Sequence, residues 1–131
     1  MDELIARISA AIGVEADVAK TAIGHVLAFL QKEFPDGPVG ELLDKLPGAQ
    51  EAMNTAAAAG EGGGLGGMLG GLVGGAAGGL MGLAGKLNSV GLDMNQIRTL
   101  AKEVLAHAEG LIGKENVQKI ADSIPGLSQF V

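Results

Sequence analysis

Few residues in this chain have the chemistry to act on a substrate. Of 131 residues two are His, and none is Cys, Trp or Tyr. The missing Cys removes thiolate nucleophiles, thiolate metal sites and disulfide frameworks together. His25 and His107 lie near the edges of two long apolar stripes, with no second His or carboxylate at ligand spacing on the same face. They read as boundary histidines with one wet side, not as ligands or bases. Asp44 and Asp122 stand at corresponding places ahead of Pro47-Gly48 and Pro125-Gly126. A general acid/base pair needs a shared cleft and a raised pKa, whereas a place before a turn points to turn stabilisation. Ser9, Ser89, Ser123 and Ser128 belong to no nucleophile elbow. The string Gly62-Gly63-Gly64-Leu65-Gly66-Gly67 satisfies G-x-G-x-x-G, but an Ala-rich helical stretch precedes it where a dinucleotide fingerprint needs a strand. Gly85-Lys86 runs into Leu87 in place of the Ser or Thr of a P-loop. The sequence therefore predicts a protein without catalytic residues, metal ligands or cofactor, and not an enzyme.

Charge narrows the partners. The formal net charge is −6, and phosphate neutralisation requires clustered Lys and Arg, so nucleic acid is not expected. The three Phe (Phe29, Phe34, Phe130) are too scattered for a base-stacking platform. All the net charge sits in Met1–Glu61, where Arg7, Lys20, Lys32 and Lys45 face ten acidic residues; from Gly62 onward the signs balance. The acidic half favours solubility and disfavours pairing with itself. The start, Met1-Asp2-Glu3-Leu4-Ile5-Ala6-Arg7, is acidic and amphipathic, unlike an export signal, so a cytoplasmic location is expected.

The elements that would position any site come from an internal repeat. Shifting the chain by 78 positions without a gap aligns Met1–Met53 with Gly79–Val131. The match pairs Gly13 with Gly91, Val26-Leu27-Ala28 with Val104-Leu105-Ala106, and Pro47-Gly48 with Pro125-Gly126. Punctuation and apolar positions coincide, which chance similarity of two Ala- and Leu-rich helices would not produce. Each copy reads as three helices. The first spans Asp2–Ile12, with Leu80–Val90 as its counterpart, and ends at a Gly suited to the left-handed C′ position. The second opens after Glu15 or after Asp93. Asp93-Met94-Asn95-Gln96 is a capping box, while Glu15 is a poorer cap. Pro35-Asp36-Gly37-Pro38 breaks the first long helix, and Pro38 suits the first position of the next. The third helices cover Pro38–Lys45 and Asn116–Ser123, and a further Ala-rich helix spans Ala49–Ala59. The predicted class is all-α, with two tandem three-helix pseudo-repeats joined by a glycine-rich segment: 1–59, 60–79 and 80–131. Three short helices make a thin core, so the two copies should pack on each other.

The segment itself has a period. Gly62–Gly85 is uncharged and holds 13 Gly, in pairs that recur every four residues: Gly66-Gly67, Gly70-Gly71, Gly74-Gly75 and Gly78-Gly79. In a helix these pairs trace a slowly drifting groove that allows close backbone approach. As a lone helix in water the segment would fail, because 13 Gly cost about 13 kcal/mol relative to Ala. A tether, a buried or self-associated glycine zipper, and a membrane span are the three readings of it. The Leu/Ile-rich helix, the Gly13-Val14 and Gly91-Leu92 turns, the long Ala/Val/Leu helix and Leu46-Pro47-Gly48-Ala49 resemble the uncharacterised VcgC/VcgE-type bacterial family. The resemblance implies a small helical bacterial protein and carries over no catalytic residues; Glu15 departs from it where a Ser-like cap is expected. The expected function is a non-enzymatic interaction or assembly protein, binding a protein partner or itself through a glycine-zipper surface at Gly66, Gly67, Gly70, Gly71, Gly74, Gly75, Gly78 and Gly79. The alternative is a membrane-associated protein that inserts Gly62–Gly85.

Overall fold

The computed structural model describes residues 2–34, 37–61 and 79–123. Within them the chain is all-α: α1 (Asp2–Ile12), α2 (Ala16–Glu33), α3 (Pro38–Lys45), α4 (Ala49–Glu61), α5 (Gly79–Ser89), α6 (Met94–Ile112) and α7 (Lys114–Ser123). The boundaries follow local chemistry. Gly13 takes φ +68°, and beyond it the Val14 N–H donates to the Ser9 carbonyl at 3.2 Å. Gly91 takes φ +101°, and the Leu92 N–H donates to the Leu87 carbonyl at the same distance. A left-handed residue that would cost any other side chain strain thus closes both first helices by the same motif.

The second helices start differently. Asp93 Oδ1 accepts from the Gln96 N–H at 2.8 Å, and Gln96 Oε1 accepts from the Asp93 N–H at 2.9 Å, completing the capping box. Glu15 makes no side-chain cap bond, as its longer side chain foretold. Pro38 lies in the first turn of α3, where its missing N–H costs nothing. Three helices differ from expectation: α5 covers Gly79–Ser89 in place of Leu80–Val90, one residue earlier at each end, and two others are longer. α4 runs on to Glu61, since nothing but Gly60 interrupts its Ala-rich run; α7 starts at Lys114, because Gly113 (φ +91°) ends α6 and leaves no intervening turn.

One continuous core joins the helices. α1 contributes Leu4, Ile8 and Ile12; α2 contributes Ile23, Leu27 and Leu30. Leu83 and Leu87 enter from α5, Ile97, Leu100 and Val104 from α6, and Val117 and Ile120 from α7. α1 packs against both α2 and α6, and α5 against both α2 and α6. α3 reaches α6 and α7, and α4 lies along α2 in the most extensive helix pair of the structure. Three polar ties reinforce contacts between residues 2–61 and residues 79–123. Arg7 Nε meets Glu103 Oε2 at 3.0 Å, Gln96 Nε2 donates to the Ile12 carbonyl at 2.9 Å, and Lys45 Nζ donates to the Leu111 carbonyl at 3.1 Å.

Candidate functional site

The residues singled out for chemistry do not converge. His25 is 7 % exposed, and it is the buried polar side chain among the described residues. It belongs to a run, Ala22–Leu27, in which every residue is buried. Burial, with the positive charge of Lys86 on α5 adding to it, holds the imidazole below its ordinary pKa. His107 on α6 is half-buried, and burial lowers its pKa too. Both rings therefore favour the neutral form. Among the described residues no group of three His, Asp or Glu could hold a metal ion.

Asp44 and Asp122 both remain exposed. The turn after Asp44 is closed by the backbone alone: the Leu46 N–H donates to Leu43, Ala49 to Leu46 and Ala52 to Gly48. Among the described residues no side-chain bond from Asp44 reinforces it, so the expected turn role is not what the structure displays. Asp44 instead borders an open depression of about 490 Å³ with Gln31, Leu43, Leu46, Pro47 and Gln50. An exposed carboxylate flanked by two amides offers hydrogen bonds but brings no nucleophile with it.

The glycine positions expected to mediate association, Gly66, Gly67, Gly70, Gly71, Gly74, Gly75 and Gly78, lie outside the described residues; Gly79 opens α5. What the structure does describe are the two flanks. α4 leads into the segment and α5 leads out, and both pack on α2. Leu83 and Leu87 of α5 are buried, so the last part of the uncharged stretch is already committed to the core. Among the described residues no helix is long and apolar enough to cross a membrane.

Close backbone approach does occur, at a place the sequence reading passed over. A Cβ on Gly24 would lie 2.0 Å from the Ala52 carbonyl oxygen and 2.8 Å from the Ala56 Cβ. α2 and α4 therefore meet backbone to backbone at Ala52, with Ala56 beside it, both buried. Lys20 Nζ clips the pair to Glu51 Oε1 at 2.7 Å and draws that carboxyl below the usual range. The signal was present in the sequence: a Gly inside a long helix, followed by a helix with Ala at positions 49, 52 and 56. Comparison of the chain with known protein families, characterised proteins and solved structures finds no match.

Proposed function

We propose that the protein is a non-enzymatic helical assembly protein built from two tandem three-helix repeats, and that it binds a second copy or another protein through the glycine segment. The observation that carries this reading is the seating of both flanks on α2. The two described helices that flank the segment, α4 and α5, thereby rest on one and the same helix. Lys20 and Glu51 tie α2 to α4, and His25 is buried within α2. Reciprocal packing supports the repeat: the first helix of each copy, α1 and α5, lies against the second helix of the other, α6 and α2. Within this reading the chain is a small cytoplasmic bacterial protein of VcgC/VcgE type, with no cofactor and no nucleic-acid partner.

Light scattering after size exclusion tests it on the full chain and on the Gly70→Leu/Gly74→Leu variant. Two Gly→Leu changes raise helix propensity by about 2 kcal/mol, yet overpacking costs about 1–3 kcal/mol at each site where backbones touch. Loss of the associated state or of thermal stability in the variant is the expected result. Unchanged mass and unchanged Tm would reduce the segment to a tether. Insertion of Gly62–Gly85 into a membrane is the rival, and it would have to withdraw Leu83 from the core. Recovery of all the protein in the soluble fraction of a liposome flotation removes that rival.

A further inference from the structure

The contact of α1 with α6 has a counterpart in the contact of α5 with α2. The two are not chemically alike. Arg7 and Glu103 close the first with an ion pair at 3.0 Å. In the 78-residue alignment the residue corresponding to Arg7 is Gly85, and the residue corresponding to Glu103 is His25. The second contact therefore has no side chain where the first has a cation, and an imidazole where the first has a carboxylate. A Cβ on Gly85 would meet no heavy atom within 4 Å, although α5 is packed against α2. His25 is 7 % exposed and makes no side-chain hydrogen bond among the described residues. No fully buried side-chain nitrogen among them is unpaired, so the ring nitrogens reach solvent through the little of the residue that stays open. Lys86, next to Gly85, is the residue of α5 whose charge acts on the ring. It is exposed, and no carboxylate among the described residues lies within ion-pair distance of it. Lys20 and Lys45, by contrast, are held by Glu51 and Glu41.

We infer that His25 and Lys86 form, in the room left at Gly85, a binding site for a small monocarboxylate. One carboxylate oxygen accepts from the Lys86 ammonium, and the other accepts from the N–H of the neutral imidazole. A single negative charge suits the one cation present. A phosphate dianion would bring a second charge against a desolvated ring with nothing to balance it. A gap the width of one missing side chain admits a small acid. The site goes beyond association, and it rests only on the repeat correspondence of the reading above.

Acetate is the probe, titrated into the isotope-labelled full chain with chloride holding the ionic strength constant. The His25 ring resonances should move saturably and its pKa should rise. His107, the other imidazole of the chain, is the internal reference and should not follow. Lys86→Met should weaken acetate binding by up to about fivefold, the upper range for an exposed ion pair. Gly85→Glu adds a tethered carboxylate where nothing obstructs it. It should raise the His25 pKa without acetate and abolish the acetate response. Parallel, unsaturated movement of both rings overturns the site, as does a Lys86→Met chain that binds acetate like its parent. An equal response to phosphate overturns the choice of a monocarboxylate. An unchanged His25 titration in Gly85→Glu shows that Gly85 does not face His25, and overturns the repeat correspondence together with the site. None of these outcomes depends on the mass read by light scattering, so association stands or falls separately.

Discussion

The two long helices, α2 and α6, have similar lengths and similar apolar stripes but different surroundings. In α6 the buried residues Ile97, Leu100, Val104, Ala108 and Ile112 recur at intervals of three or four, and Arg98 and Lys102 stand in water. In α2 every residue from Ala22 to Leu27 is buried, more than a full turn. The difference is α4, laid across the face of α2 that carries Gly24. The residue of α6 corresponding to Gly24 in the 78-residue alignment is Lys102, whose side chain would occupy the space that an α4-like helix needs. Hydrophobic periodicity detects one apolar face on each helix. A second face made of Gly, Ala and His adds little to that pattern, although it governs the largest helix pair in the molecule.

The sharpest way to break this contrast is to exchange the distinguishing side chains. Gly24→Leu should cost about 3 kcal/mol, the upper end for overpacking, because the Ala52 backbone and not a flexible side chain must move. Lys102→Leu, on the exposed counterpart, should stay within about 0.5 kcal/mol. Urea unfolding followed by circular dichroism measures both, and equal losses would remove the α2–α4 crossing. Gly24→Ala should fall between them, its clash partly offset by about 1 kcal/mol of helix propensity.

The helix starts give a smaller contrast. Asp93→Ala should cost about 1 kcal/mol through loss of the capping box, while Glu15→Ala should change stability by a few tenths at most, since no cap bond is lost. A Glu15→Ser substitution sharpens the comparison, because a short hydroxyl cap there should raise the unfolding midpoint. Pairwise denaturation curves at one pH decide the matter.

The subtlest difference is in pH response. His25 is held neutral in the fold by burial and by Lys86, whereas the unfolded chain protonates it near 6.5. The unfolded state then binds more protons, so stability is full above that value and declines as pH falls through it. His107, whose pKa is also lowered by partial burial, acts in the same direction. Tm measured from pH 7.5 to 5.5 should therefore drop in the native chain. The drop should be shallower in His25→Gln and in His107→Gln, and shallowest when both are replaced. An equal slope in all four proteins would show that neither ring is desolvated.

Helix identity was legible wherever a stop or start has its own chemistry. Gly13 and Gly91, Pro38 and the Asp93–Gln96 box marked their boundaries because each satisfies or removes a backbone group locally. What escaped was set by contacts between distant segments. Nothing local in α1 says that Ile8 shares a core with residues of α6, and His25 read as a boundary residue because only the main stripe of α2 was visible. Close approach of small residues is expected where Gly is densest, at residues 66–79. The structure describes one at Gly24, where a lone Gly faces Ala52 and Ala56 of the next helix but one.

The contact of α1 with α6 also sets a waiting time during synthesis. At about 5–20 residues per second, Glu103 is added roughly 5–20 s after Arg7, its ion-pair partner. Over that interval Leu4, Ile8 and Ile12 have α2 to lie against but lack the helix that completes their burial. A nascent first half with an open apolar face risks sticking to its neighbours on the same messenger. The half that must wait is also the half that carries the whole net charge of −6. Mutual repulsion between waiting chains therefore keeps them apart until α6 arrives and covers the exposed face.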